Sequence, residues 1–480
     1  MKKNFSILYL VSAIFLFSFQ VFFAQGLTTG SMNGLVGDIE GNPLPGANVI
    51  ALHVPTGTQY GASTRDNGQF NIPSMRVGGP YTITVSYVGF EKQTQENVML
   101  NLGQKLRIDF TLSSETVEMG QVVVTGEEDD VLNGNRTGAA TFINPESITA
   151  LPSIKRSTRD ITRLDPRSDG NYSFGGKNWL YNNISVDGSY FNNPFGLDDP
   201  SPGGQTSAEP IPFDAVEQVQ VSIAPFDVRE GGFTGAGINT VTKSGTNQYK
   251  VSLYSFFRNE SLIGNKISGE EILVPELMFN QSGITAGGPI IKNKLFIFLG
   301  YETVTRQDPG SGAFIADSDN DPTNNPPGVS RVSAETMNQI RQRMVDVYGF
   351  DPGPYQGFNH DTKNQKFLLK LDWNINENNN LTFRYNFLDA SQQKPPHPFA
   401  ISFNNTGRGP NQTSMPFQNS GYTMNNELNS FALEFNSRFE NSSNKFFVSY
   451  NIFRDFRSNT SQPYPTIEIA EGGVTYTTVG

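Results

Sequence analysis

From residue 247 onward the chain consists of long segments in which apolar and polar residues alternate one by one, and this periodicity limits what it can fold into. In FALEFNSRF, Phe431, Leu433, Phe435 and Phe439 alternate with Ala432, Glu434, Asn436 and Arg438. Phe367, Leu369, Leu371, Trp373 and Ile375 do the same against Lys370, Asp372 and Asn374, and Leu381, Phe383, Tyr385 and Phe387 against Thr382, Arg384 and Asn386. Successive side chains of a strand point to opposite faces, so each run has a greasy face and a polar one. Strands are expected near 247–258, 280–291, 293–303, 366–375, 380–389, 428–439 and 444–456, with 376–380 as a short turn between two of them. Lipid outside and a polar lumen inside would produce this pattern, and so would the buried and solvent faces of a soluble sandwich.

The N-terminus bears on that choice. Lys2 and Lys3 precede an apolar run over residues 5–23, and Ala24 is a small residue suited to cleavage, so residues 1–24 are expected to be a secretory signal peptide; a membrane anchor is the other reading of the same run. No uncharged apolar run after Ala24 approaches the ~20 residues that a spanning helix needs, so insertion into a membrane would have to use a β-barrel. The chain has no cysteine, so each exported part must hold together by burying its own core or by sitting in a bilayer. A net charge of −11, with no cluster of Lys and Arg, argues against a nucleic-acid binder.

Residues 33–112 break into short β-forming runs separated by turn chemistry: Glu40-Gly41-Asn42-Pro43, and Asp66-Asn67-Gly68, where Gly accepts positive φ and Asn or Asp bonds the local backbone. Alternation of Tyr81, Ile83, Val85 and Tyr87 marks a half-buried strand, and a small β-sandwich is expected. The set Gly34, Val36, Asp38, Gly41, Pro43, Leu44, Pro45, Gly46 and Ala47, then 68–72 and 85–90, resembles the carboxypeptidase regulatory-like domain, a non-enzymatic β-sandwich.

Beyond it, acids flank the strand-forming run Val122, Val123 and Val124. Residues 135–246 then mix a helical piece at 157–164 with short strands at 183–188 and 219–223, as in an α+β domain. The strings SVDGSYFNNPFGL, PGGQTSAEPIPFDAVEQVQVSIAPFDVREGGFTGAGINTVTKSGT and GGPIIKNKLFIFLGYE together resemble TonB-dependent outer-membrane receptors of the Oar-like branch. That resemblance implies a mainly β chain: signal peptide 1–24, sandwich 27–113, linker with TonB box 114–134, α+β plug 135–246, and the first part of a transmembrane antiparallel barrel with long extracellular loops over 247–480. It also implies that Gln121, Val122, Val123, Val124, Thr125 and Gly126 bind TonB, an extended segment of this type being suited to β-augmentation. Asp187, Gly188, Phe226, Gly231, Gly232, Gly235 and Gly237 are the corresponding plug motif; no strand–GxGxxG–helix context makes these glycines a nucleotide loop.

The implied place is the outer membrane of a Gram-negative bacterium with the N-terminal domain in the periplasm. The implied partners are TonB, membrane lipid and an extracellular substrate. Import by a plugged barrel is the expected activity; an adhesion or structural surface protein, or a glycan importer of the SusC type, are the alternatives. A plugged transporter barrel has ~22 strands, so the segment at 474–478 is expected to begin a strand of a barrel that continues past this sequence. Residues 304–365 and 390–427 are long and polar, whereas Ile291-Lys292-Asn293-Lys294 is tight, as expected of outer loops and periplasmic turns. Within the first of these loops, Met337, Ile340, Met344 and Val347 follow helical spacing behind Ser333, a plausible N-cap. Just before it, Asp317, Asp319 and Asp321 stand as in the start of a calcium loop, although Pro322 replaces the glycine and no Glu closes it. Apart from a structural calcium there, no cofactor is expected. His53, His360 and His397 form no constellation, and no GxSxG, HExxH or Walker motif appears, so no enzyme is expected.

Overall fold

The computed structural model describes residues 26–114, 123–124, 139–150, 153, 156–193, 200–223, 230–267, 269–271, 274, 276–312, 314–319, 328–396, 407–439 and 442–480. The expected signal peptide, Gln121, Val122, Thr125, Gly126, Phe226, Asp321 and His397 lie outside the described residues. The chain separates into two compact units, one of residues 1–54, 59–192 and 217–242, the other of 55–58, 193–216 and 243–480.

The first unit opens with two sheets that share a core. One sheet sets Gln69–Arg76 antiparallel to Thr29–Asp38, with Lys105–Arg107 and Phe110–Leu112 both parallel to Thr29–Asp38. The other has the order Thr58–Ser63, Asn48–His53, Gly78–Ser86, Gln93–Leu100, Val123–Val124. Inward residues alternate as the sequence requires: Met32, Val36, Phe70 and Ile72 from the first sheet meet Val49, Ala51, Tyr81, Ile83 and Val85 from the second. Each such large side chain contributes about 1.5–3 kcal/mol on burial. The turn at Asp38 closes as its chemistry predicts, since Oδ1 accepts from Glu40 N at 2.9 Å and from Asn42 N at 2.8 Å, and Gly41 takes φ 87°.

A five-stranded sheet follows in the order Ala139–Ile143, Val216–Ile223, Ala236–Thr242, Asn183–Val186, Ser189–Tyr190. Every residue of Ala236–Thr242 and of Asn183–Val186 is buried, so these strands carry no alternation and are central. The helix Thr158–Thr162 starts where expected, with Ser157 Oγ accepting from Asp160 N.

The second unit is dominated by a seven-stranded antiparallel sheet in sequence order: Lys250–Asn259, Met278–Ile291, Leu295–Pro309, Asn359–Asn374, Asn379–Lys394, Tyr422–Arg438 and Ser443–Asn459. All seven expected barrel strands are present, but most run longer than the apolar alternation: Asn359–Asn374 begins seven residues before 366, because its polar start still pairs with Leu295–Pro309. Register aligns the greasy faces into rows. Leu299, Leu369, Tyr385, Phe431 and Tyr450 are successive cross-strand partners, and so are Leu295, Trp373, Leu381, Phe435 and Phe446. On the outward face Tyr450 is 66% and Phe446 54% exposed, which suits lipid and not water. The opposite face buries Lys366, Lys370, Asp372, Arg384 and Glu434.

One expectation is corrected. The segment at 474–478 is no barrel strand: Val474–Val479 pairs antiparallel with Ile467–Glu471 in a two-stranded sheet. Its Thr475, Thr477 and Thr478 are buried together with Tyr476 and Val479, so it has no lipid face, and Met415 N and Phe417 N donate to Tyr476 O and Thr478 O at 3.1 Å each.

Candidate functional site

The inward face of the seven-stranded sheet is chemically unlike the outward one. Lys366 Nζ donates to Glu302, whose other carboxylate oxygen accepts from Tyr254 Oη at 2.7 Å. Glu302 is fully buried and Lys366 nearly so, and the pairing of Glu302 with Lys366 as direct cross-strand neighbours makes the contact possible. An ion pair so enclosed is costly to break, since the survivor is left as an uncompensated buried charge. Thr382 Oγ1 donates to Asp372 at 2.9 Å, and Asn426 Nδ2 to Asp455 at 2.6 Å, along the same face.

Residues 200–216 lie on that face. Two 3-10 turns, Gly204–Thr206 and Phe213–Ala215, fold the segment tightly. Asn386 Nδ2 donates to Pro210 O at 2.9 Å, Asn426 Nδ2 approaches Gln205 Oε1 at 3.4 Å, and Ala215 packs with Phe298 and Leu368. Gly203 is held at φ 86° with Leu388 2.7 Å from where a Cβ would stand, so a side chain there is excluded by both backbone and space. The sequence PGGQTSAEPIPFDA therefore occupies the polar side of the sheet.

The residues expected to form a plug motif are brought together only in part. Asp187, at φ 43°, and Gly188, at φ 82°, form the turn between Asn183–Val186 and Ser189–Tyr190. Asp187 Oδ1 accepts from Thr242 N at 2.8 Å and Oδ2 from Thr242 Oγ1 at 2.6 Å, which ties that turn to the end of Ala236–Thr242. At Gly235 a Cβ would stand 2.4 Å from Asn182 Oδ1 and at Gly237 2.9 Å from Phe233, so both glycines serve close packing. Gly232 takes φ 79°, and Gly231 O accepts from Asn183 Nδ2 at 3.3 Å. Of the residues that the sequence resemblance assigns to a TonB box, Val123 and Val124 form a short strand parallel to Thr94 and Gln95, at the edge of the second sandwich sheet.

The segments between the long strands form a folded body. The helix Ala334–Tyr348 is capped by Ser333 Oγ, as expected, and ends at Gly349 with φ 63°. Its Met337 and Met344 pack with Val332, Phe350, Tyr355, Met415, Phe417, Tyr476 and Val479, which come from three separate stretches of loop. Arg341 and Asp351 pair at 3.0 Å on its surface; hydrogen bonding to Arg341 holds the Asp351 carboxyl below its ordinary range. Asp317 is buried and its Oδ1 accepts from Asp319 N at 3.0 Å. Among the described residues no three His, Cys, Asp or Glu side chains are grouped to hold an ion. The inward ion pair and the shared loop core were missed at the sequence level. Both join residues far apart in the chain, and the only signal was a charge at an inward position of an alternating run.

Residues 31–113 match the carboxypeptidase regulatory-like domain, and residues 241–480 match the outer membrane beta barrel domain. The chain belongs to the outer membrane beta barrel domain family. Members of this family sit in the outer membrane, and that is the place of this chain. Among curated proteins it is 24% identical, over 344 residues, to the TonB-dependent transporter Oar of Myxococcus xanthus, covering 67% of this chain and 30% of the relative. It thus spans about a third of the length of the curated relative it matches. Solved structures similar to this barrel protein include the outer membrane transporter YddB of Escherichia coli, 13% identical, covering 71% of this chain and 42% of that one with a TM-score of 0.46. The siderophore receptor PirA of Pseudomonas aeruginosa is 14% identical, covering 66% of this chain and 41% of that one with a TM-score of 0.40. The mainly β class, the Oar-type resemblance and the outer-membrane setting are as expected from the sequence.

Proposed function

We propose that this outer-membrane protein is a TonB-dependent transporter, importing a substrate captured by its outer loops. The observation that carries the reading is residues 200–216 lying on the polar, inward face of the seven-stranded sheet, where a plug would stand. In this reading Asp187, Gly188, Phe226, Gly231, Gly232, Gly235 and Gly237 belong to a plug, and TonB takes up residues 121–126 by strand addition and pulls on it. The 24% identical Oar relative is a TonB-dependent transporter, which supports the proposal.

Deleting residues 121–126 tests it. Assembly in the outer membrane and binding of ligand at the cell surface stay as in the native protein, while accumulation of that ligand inside the cell is lost. Undiminished accumulation would reject the box. A second reading, surface adhesion, is favoured by the folded loop body with its own core; it predicts surface binding with no energy-dependent uptake in either protein.

A further inference from the structure

The sandwich has a recess on the outer face of its first sheet that the transport reading does not use. Lys105–Arg107 runs parallel to Thr29–Asp38 at Ser31–Asn33 and Phe110–Leu112 does so at Val36–Asp38, so the pairing is interrupted between them. A Cβ on Gly34 would stand 1.7 Å from Ile108 O, so only glycine permits this close approach. Asp109 turns into the gap and its Oδ1 accepts from Leu35 N at 2.9 Å, taking the hydrogen bond that a regular strand would have supplied. The interrupted edge and the Arg65 turn enclose a recess of about 340 Å³ lined by Asn33, Gly34, Leu35, Arg65, Gln69, Phe70, Asn71 and Arg107.

Its lining is rich in unused hydrogen-bonding capacity. Asn33 pairs with Asn71 on one side and Arg107 on the other, and Leu35 with Gln69, so these side chains stand in two cross-strand rows on one face. Among the described residues the side chains of Asn33, Gln69, Asn71 and Arg65 make no hydrogen bond or ion pair. Arg107 bonds Asp109 at 3.1–3.2 Å, which fixes its guanidinium at the rim. Asp109 offsets one of the two arginines, and Arg65 remains as surplus positive charge.

The geometry points to a ligand site here for a hydroxylated carboxylate of monosaccharide size, such as a sugar acid. Guanidinium groups match the planar carboxylate, with charge-assisted bonds about twice as strong as neutral ones. Amide side chains both donate and accept, as vicinal hydroxyls do, and Leu35 offers an apolar wall. The volume lies at the lower end of the range for small-molecule sites.

The full chain in detergent, titrated with D-glucuronate, D-glucose and acetate, tests the assignment. Glucuronate binds, while glucose, lacking the carboxylate, and acetate, lacking the hydroxyls, bind about tenfold more weakly or worse. Arg65→Gln, at an exposed position, leaves the melting temperature unchanged and weakens glucuronate about tenfold; Asn71→Ala weakens it less. Equal binding of glucuronate and glucose, equal binding of glucuronate and acetate, absence of glucuronate binding, or full retention in Arg65→Gln would each overturn the site.

Discussion

Asp187 takes φ 43° in a buried turn, with both of its carboxylate oxygens occupied by Thr242. Replacing it by Ala leaves the backbone N–H of Thr242 buried without this acceptor, a loss of about 1–3 kcal/mol. Faster hydrogen exchange at 236–242 in Asp187→Ala, with exchange at 78–86 unchanged, is the expected outcome. His53 provides a pH dependence in the sandwich. Burial, with Arg76 nearby, pushes its imidazole down to about 3. The folded state therefore excludes a proton that the unfolded state binds below its ordinary value near 6.5. Stability is fully present above ~6.5 and is lost as pH falls towards 3, at up to about 1.4 kcal/mol per pH unit. Exchange protection of Gly78–Ser86 should fall over that window, and His53→Gln should flatten the dependence. The place of both residues in a β domain was legible, but their roles were not. Thr242 is 55 residues from Asp187, and His53 reads as polar in a sequence that does not say which face of its strand meets the core.

At the scale of elements, the alternation of Phe431, Leu433 and Phe435 identified a strand with one greasy face because side-chain direction follows strand periodicity whatever surrounds it. The helix Ala334–Tyr348 was equally legible, since Ser333 and the spacing of Met337 and Met344 are local signals. Ser333→Ala should cost about 0.5–2 kcal/mol of local stability, read as faster amide exchange in the first turn of the helix with the barrel strands unaffected. The hairpin Ile467–Glu471 with Val474–Val479 was misread as the start of a barrel strand because Val, Tyr and Thr favour any strand. Only its contacts with Met415 and Phe417, some 60 residues away, reveal a loop element.

For the molecule as a whole, the sheet of seven strands presents lipid-facing aromatic rows and a polar inner face carrying residues 200–216. The cross-strand rows were not visible from the sequence, because register is a property of pairs of strands, whereas residues 200–216 fall within the segment that the resemblance assigned to a plug. On the proposed reading, TonB engages the segment at 121–126. A chain without cysteine permits one direct measurement: Val123→Cys, with Thr111→Cys on the sandwich as control, assayed in cells for disulfide formation with single-cysteine variants of TonB's periplasmic domain. The account predicts an adduct at position 123 that greatly exceeds any at 111. No adduct at 123, or equal adducts at the two positions, would contradict it.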